Sequence, residues 1–290
     1  MFDSKSLNPI LPNRLHRNVS HFRICDNSNQ IFIPDELSSL QKLITEIHLA
    51  NSNYLPIGGG SNLLIGNAVE TVLISDNGLP KYLKISENEI EVSANYNINA
   101  LSQILHKHNL GGLEFLAGIP AHLGGIVKLN AGAYGHTISE FVTEASLINH
   151  QGEVINLSAD DLDFSYRHSA VDGFIFQVKL LLPKVDSAQS KKLIKENINR
   201  RKMSQPLDFP NLGCFYKNPP GQSAGYLIDN CGLKGTCVGG ACVSKKHANF
   251  IINKGDATFL DVKALMQKIE LEVYNKFNIK LEKEIEVIDR

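Results

Sequence analysis

Apolar residues along this chain change period several times, and each change marks an element. Leu37, Leu40, Leu43, Ile44 and Ile47 recur at three- and four-residue steps behind Pro34-Asp35-Glu36, which predicts a helix with an acceptable start. Tyr54–Ile57 and residues 71–76 are short apolar runs on either side of a glycine loop and predict strands. This opening is βα-like and is expected to build a mixed sheet. Glu89-Ile90-Glu91-Val92 alternates as a strand, and Ile98, Leu101, Ile104 and Leu105 predict a second helix. Residues 144–149 and 153–157 flank Gln151-Gly152, a hairpin signal, and 174–182 form a long apolar strand stopped by Pro183.

The pattern then changes. Residues 186–202 are polar and basic with a thin apolar stripe of Leu193, Ile194 and Ile198, which predicts an amphipathic connecting helix ended by Pro206 and Pro210. A region punctuated by Gly213, Gly221, Gly225, Gly232, Gly235, Gly239 and Gly240 is expected to carry short strands. The chain finishes with a helix on Leu260, Leu265, Ile269, Val273 and Phe277 and a strand at 285–288. A domain boundary is expected near 183–200.

A length of 290 residues suggests about two domains. Lys and Arg total 29 against 30 Asp and Glu, so no net field draws the chain to nucleic acid or an anionic membrane. No window approaches the about 18 apolar residues of a membrane span, and Met1-Phe2-Asp3-Ser4-Lys5 lacks the pattern of a secretory signal. The five cysteines are Cys25, Cys214, Cys231, Cys237 and Cys242; an odd count without such a signal leads us to expect reduced thiols in a cytoplasmic protein. Their spacing does not match a zinc site, and no metal is expected.

Glycine clustering carries the candidate chemistry. Gly111-Gly112 through Gly118-Ile119-Pro120, then Gly124-Gly125, then Asn130-Ala131-Gly132-Ala133-Tyr134-Gly135 crowd permissive backbone into apolar sequence. Gly58-Gly59-Gly60-Ser61-Asn62-Leu63-Leu64 forms a second run after a strand. Such loops let backbone N–H groups approach a phosphate, and two of them suit an extended diphosphate. Tight turns between buried strands are the alternative reading. A Rossmann site fits poorly, because Leu63 stands where the third glycine belongs, although Asp76 could mimic the ribose-binding acid. No Gly-Lys-Ser/Thr follows, which excludes a P-loop.

Taken in order, these motifs resemble the UDP-N-acetylenolpyruvoylglucosamine reductase family. The likeness continues through Tyr166-Arg167-His168-Ser169, Gly213-Cys214-Phe215-Tyr216-Lys217-Asn218-Pro219, Ala224-Gly225-Tyr226-Leu227-Ile228-Asp229, His247-Ala248-Asn249-Phe250-Ile251 and Leu281-Glu282-Lys283-Glu284-Ile285. The resemblance implies an α+β fold. An FAD-binding domain of the vanillyl-alcohol-oxidase type would span 1–185 in two subdomains, about 1–80 and 81–185. A connecting helix and an α+β substrate-binding domain would span 186–290. Short spacing between Asn218-Pro219 and Ala224-Gly225 resembles the shorter subtype, which lacks an inserted tyrosine-bearing loop. FAD would be held by Gly58, Gly59, Gly60, Ser61, Asn62, Leu63, Gly118, Ile119, Pro120, Gly124, Gly125, Asn130, Gly132, Ala133 and Tyr134.

The implied reaction takes hydride from NADPH through the flavin to UDP-N-acetylglucosamine enolpyruvate, making UDP-N-acetylmuramate for peptidoglycan. Hydride arrival leaves an enolate, which needs a fixed cation or donors and then a proton donor. Arg167 suits the first role, since its planar fork pairs with carboxylates; otherwise it is a surface residue on a turn. Glu284 matches the family's enolate-assisting acid, but alternation alone does not separate it from Glu282 and Glu286. Cys214 stands where the family usually has the proton-donating Ser, and a thiol is the stronger acid; a buried inert Cys is the alternative. Arg201, Gln205, Lys217 and Asn218 are the substrate-binding candidates, by charge and amide chemistry. The family's Gly-Thr-Val is replaced by Ala121-His122-Leu123, with His122 expected to face the diphosphate, and an N-terminal glycine pair by Cys25-Asp26. These departures keep two alternatives open: a related flavoenzyme with another substrate, and a non-catalytic flavin- or nucleotide-binding paralogue.

Overall fold

The computed structural model describes residues 19–24, 31–67 and 69–289. Cys25 and Asp26, singled out above, lie outside them. In chain order the first elements are β1 (Ile31–Phe32), α1 (Leu37–Leu49), β2 (Tyr54–Ile57), β3 (Leu63–Ile65) and β4 (Val72–Ser75). There follow β5 (Leu83–Ser86), β6 (Glu89–Ser93), α2 (Ile98–Lys107), α3 (Leu123–Lys128), β7 (Gly132–Ala133), β8 (His136–Thr137), β9 (Val142–Ile148), β10 (Val154–Ser158) and β11 (Phe174–Leu181). The last elements are α4 (Ser187–Ser204), α5 (Ala224–Asn230), β12 (Cys237–Val238), β13 (Ala241–Val243), β14 (Ile251–Asn253), α6 (Phe259–Phe277) and β15 (Glu286–Ile288).

Contacts divide the chain into two compact units, one of 31–59 and 70–199, the other of 19–24, 60–67, 69 and 200–289 among the described residues. The first holds two larger sheets and the two-stranded ribbon β7–β8. β1, β4 and β2 pair in that order, all parallel. The expected mixed sheet is therefore corrected: α1 carries the chain from β1 back to β2, and a helical crossover returns strands in the same direction. α1 buries Leu40, Leu43, Ile44 and Ile47, the stripe read from the sequence, against Phe32, Tyr54, Val72 and Ile74. The second sheet is antiparallel, in the order β10-β9-β11-β6-β5. Its core joins Ile90, Val92, Leu147 and Val178 to Ile98, Leu101 and Leu105 of α2. Asn97 starts α2 by accepting the Asn99 and Ala100 N–H groups.

α4 departs from expectation. Its apolar stripe turns inward only in part: Leu193 is exposed and Ile194 and Ile198 are half-buried, while the fully buried positions are Ser190 and Asn197. Ser190 Oγ donates to the Glu114 carboxylate at 2.6 Å and Asn197 Nδ2 to the Glu114 carbonyl at 2.9 Å. Hydrogen bonds to a buried acid replace apolar burial there.

The second unit packs α5 and α6 with the antiparallel sheet β12-β13-β14. A capping box between Thr258 and Asp261 starts α6, which buries Phe259, Val262, Leu265, Met266, Ile269 and Val273. β15 pairs parallel with β3, Glu286 opposite Leu63. β12 and β13 set Cys237 opposite Cys242, and the two are joined in a disulfide. This corrects the expectation of reduced thiols, because a two-residue Gly239-Gly240 turn brings the pair face to face. Cys214 and Cys231 are half-buried and lie outside that disulfide.

Candidate functional site

In the first unit the two glycine runs meet each other. A Cβ on Gly59 would lie 2.7 Å from the Pro120 carbonyl oxygen and 3.0 Å from Ala121 Cα. One on Gly58 would lie 3.2 Å from His122 Cβ and 3.4 Å from Asp76 Oδ2. These glycines let one loop lie against the other, a close approach of protein to protein. Asn99 fixes the second loop from α2: its Oδ1 accepts the Gly118 N–H at 2.7 Å and its Nδ2 donates to the Ile119 carbonyl at 2.7 Å. Nothing in the sequence marked Asn99 beyond its place in the first turn of a helix.

Gly124 and Gly125, expected in a loop, form the first turn of α3 behind His122. Their surroundings differ. The Gly124 N–H donates to the Ala94 carbonyl at 2.9 Å, and a Cβ there would meet Ala94 Cβ at 3.2 Å. A Cβ on Gly125 would meet nothing within 4 Å. Gly125 thus leaves open backbone in the first turn of α3.

His122 does not turn Nδ1 toward that space. Nδ1 lies 2.9 and 3.0 Å from the two carboxylate oxygens of Asp76. Burial pushes the Asp76 carboxyl above its usual range, while the hydrogen bond and charge of His122 oppose the rise. Asn95, also buried, donates to the Asp76 and Leu79 carbonyls, and its Oδ1 is buried without a partner.

The third glycine segment joins Arg167. Arg167 lies in a tight turn closed by two bonds between Ser165 and His168, with φ 56°. Its Nη2 donates to the Gly132 carbonyl at 3.0 Å, and its guanidinium sits 5.2 Å from the Tyr166 ring centroid. Asn130 and Tyr134 also adopt positive φ, 41° and 56°. Positive φ costs free energy in non-glycine residues and is held here by neighbours. Asn130 donates to the Ser165 carbonyl at 2.9 Å and accepts the Ser139 N–H at 3.2 Å. Ala133 belongs to the short ribbon β7–β8 between them.

The second unit holds the remaining candidates. Gly60 has φ 65°, and a Cβ there would lie 1.8 Å from the Val19 carbonyl oxygen. Asn62 Nδ2 donates to the Glu284 carbonyl at 3.0 Å and the Asn62 carbonyl accepts the Glu286 N–H at 2.9 Å. Asn62 and Leu63 therefore fasten the terminal strand, and half-buried Ser61 adjoins them. Cys214 precedes a segment that runs beside Glu284, whose N–H donates to the Phe215 carbonyl at 2.9 Å. Glu282 and Glu286 are exposed and Glu284 is half-buried, so the structure separates three acids that alternation left equivalent.

Asn249, part of the His247-to-Ile251 motif but given no role by the sequence, holds this segment. Its carbonyl accepts the Phe215 N–H at 2.9 Å, its Oδ1 the Tyr216 N–H at 3.0 Å, and its Nδ2 donates to the Tyr216 carbonyl at 2.8 Å. Lys217 pairs with Glu282, and Asn218 Oδ1 accepts the Ala224 N–H at 3.0 Å. Arg201 Nη1 lies 3.5 Å from Gln205 Oε1, and both residues are half-buried. His247 packs edge-on to Phe250 at 4.7 Å, and burial, with the Lys234 charge adding, lowers its pKa. Among the described residues no cluster of His, Cys, Asp and Glu could hold a metal, and no helix is long and apolar enough to cross a membrane.

Residues 28–158 match the FAD binding domain family, and residues 205–288 match the C-terminal domain of UDP-N-acetylenolpyruvoylglucosamine reductase. The reductase of that name from Clostridium tetani is 34% identical over 279 residues, covering 95% of this chain and 91% of that protein. The one from Alkaliphilus oremlandii is 34% identical over 297 residues, covering 98% and 97%. The crystal structure of UDP-N-acetylenolpyruvylglucosamine reductase (MurB) from Thermus caldophilus superposes with a TM-score of 0.80 at 31% identity, covering 93% of this chain and 96% of that one. The α+β class, with an FAD-binding domain of the vanillyl-alcohol-oxidase type and a C-terminal reductase domain, agrees with the motifs read above. This chain belongs to the UDP-N-acetylenolpyruvoylglucosamine reductase family.

Proposed function

We propose that the protein reduces UDP-N-acetylglucosamine enolpyruvate to UDP-N-acetylmuramate with NADPH, in the cytoplasmic synthesis of peptidoglycan precursor. Similarity over almost the whole length to enzymes of that name supports the activity. FAD, when bound, would supply the two-electron relay between NADPH and the substrate alkene. Open backbone at Gly125, the strained Asn130 and Tyr134 and the orphaned Asn95 oxygen fit a cofactor on the first unit. We assign residues 1–185 to cofactor binding and 186–290 to the connecting helix and substrate.

The observation that carries the residue roles is the bond between the Glu284 N–H and the Phe215 carbonyl, which sets the acid beside the Cys214 segment. Cys214 Sγ–H gives its proton to the substrate carbon that becomes nucleophilic, and the thiolate recovers a proton from water. The roles proposed from the family motifs are that the Arg167 guanidinium offsets negative charge on the substrate carboxylate and that Glu284 assists enolate stabilisation. Lys217, Asn218, Arg201 and Gln205 bind the nucleotide half. In the substrate complex Lys217 exchanges Glu282 for a phosphate oxygen, since an exposed ion pair costs little to open.

Steady-state assay tests this reading. NADPH oxidation by the purified holoenzyme should depend on UDP-N-acetylglucosamine enolpyruvate and yield UDP-N-acetylmuramate in equal amount. Arg167→Lys, which keeps charge and loses the fork, should lower turnover about a hundredfold. NADPH oxidation that ignores the enolpyruvyl substrate would refute the reading.

A further inference from the structure

A buried acid–base pair stands against the first glycine loop. Asp76 is 6% exposed, and His122 Nδ1 bridges both its carboxylate oxygens. The space that a Gly58 Cβ would fill is bounded by both partners, so nothing bulky lies between the pair and the loop backbone. The His122 side chain keeps 13% of its surface exposed. With Nδ1 committed to Asp76, Nε2 is the ring nitrogen left to meet a ligand.

Counting protons decides what Nε2 can offer. With one proton shared between Nδ1 and the carboxylate, the pair carries a net charge of −1 and Nε2 presents a lone pair. With a second proton the pair is neutral and Nε2 carries N–H. This holds whichever partner keeps the shared proton, because both protons belong to the pair rather than to either residue. A buried negative charge and a lone pair both repel an anion, whereas a neutral pair with an outward N–H attracts one. Lys81 is a further charged group that acts on Asp76, and Tyr96 adjoins Asn97, whose backbone bridges to that of His122. Lys81 Nζ lies 5.4 Å from the Tyr96 ring centroid. The Gly58-Gly59-Gly60 loop brings no charge of its own.

We propose that Asp76 and His122 form a proton-linked receptor for the diphosphate of FAD, in which the pair takes up a proton so that Nε2 can donate to the seated anion. The proposal rests on the chain's FAD-binding domain. Cofactor retention is then coupled to pH through two residues that take no part in hydride transfer, and rising pH loosens the cofactor.

Titration of apoprotein with FAD, read by flavin fluorescence between pH 5.5 and 8.5, tests the coupling. Wild-type affinity should fall with rising pH, by up to about tenfold per pH unit through the transition of the pair. FAD added to weakly buffered apoprotein at the upper end of that transition should take up close to one proton, read by an indicator dye. The Asp76→Asn/His122→Thr double variant removes both partners and leaves no unpaired buried charge. With its fold checked by circular dichroism, it should bind FAD with a flat pH profile and no proton uptake. Equal slopes in wild type and double variant, or a flat wild-type profile, would overturn the coupling alone. Wild-type apoprotein that takes up no FAD at any pH would overturn the cofactor assignment together with it.

Discussion

The N–H of Glu284 donates to the carbonyl of Phe215 at 2.9 Å, which pairs the segment of this acid with the residue that follows Cys214. On its other edge the Cys214 segment is clamped by Asn249, and Asn62 holds the Glu284 carbonyl. Two residues far apart in sequence are thereby fixed by backbone bonds, leaving both side chains half-buried. Main-chain anchoring of this kind lets a side chain be replaced without moving its neighbours.

Cys214 is therefore open to a clean substitution test. Cys214→Ala should leave flavin reduction by NADPH at the parent rate and slow flavin reoxidation by substrate by about a hundredfold or more, the range of lost general acids. Cys214→Ser should retain measurable turnover. Stopped-flow absorbance at flavin wavelengths separates the two half-reactions. Parent-rate reoxidation in the alanine variant would make the thiol a packed group and give the proton another source.

Gly124 and Gly125, adjacent in sequence, should behave differently. Gly124→Val forces a side chain against Ala94, and overpacking of this kind costs about 1–3 kcal/mol. Its melting temperature should drop. Gly125→Ala meets open space and gains helix propensity of up to about 1 kcal/mol. That apoprotein should melt no lower than wild type while its FAD affinity falls, because the new methyl group occupies the cofactor's approach. Calorimetry and fluorescence titration of the two variants check both statements.

His247 gives a pH dependence with a defined sign. Burial lowers its pKa in the folded protein, so below the unfolded value of about 6.5 the unfolded chain binds the extra proton first. Stability from this group is present above that pH and is lost as pH falls through it. Melting temperatures between pH 5 and 8 should show an acid-side decline that His247→Gln reduces. An unchanged decline would assign it to other groups.

Helices with one apolar stripe were legible from spacing. Leu40, Leu43, Ile44 and Ile47 mark α1, and Leu265, Ile269 and Val273 mark α6, because local period reports local burial. The β9–β10 hairpin was equally readable, since Gln151-Gly152 closes it locally. α3 was not, because Gly124 and Gly125 argue against a helix and only tertiary bonds such as Gly124 N–H to the Ala94 carbonyl hold it. α4 misled for the opposite reason: its burial runs through Ser190 and Asn197 to Glu114, which an apolar stripe does not report. The Cys237–Cys242 bond depends on strand register. In the site, residue types came from ordered motifs, but the Asp76–His122 pair and the Asn249 clamp are long-range contacts with no local signature.

Anaerobic mixing of NADPH-reduced holoenzyme with UDP-N-acetylglucosamine enolpyruvate is the most direct measurement of the central claim. The expected result is return of oxidised-flavin absorbance within the turnover time, with one UDP-N-acetylmuramate formed per flavin. Reoxidation no faster than in buffer without that substrate, from a holoenzyme that NADPH reduces normally, would contradict it.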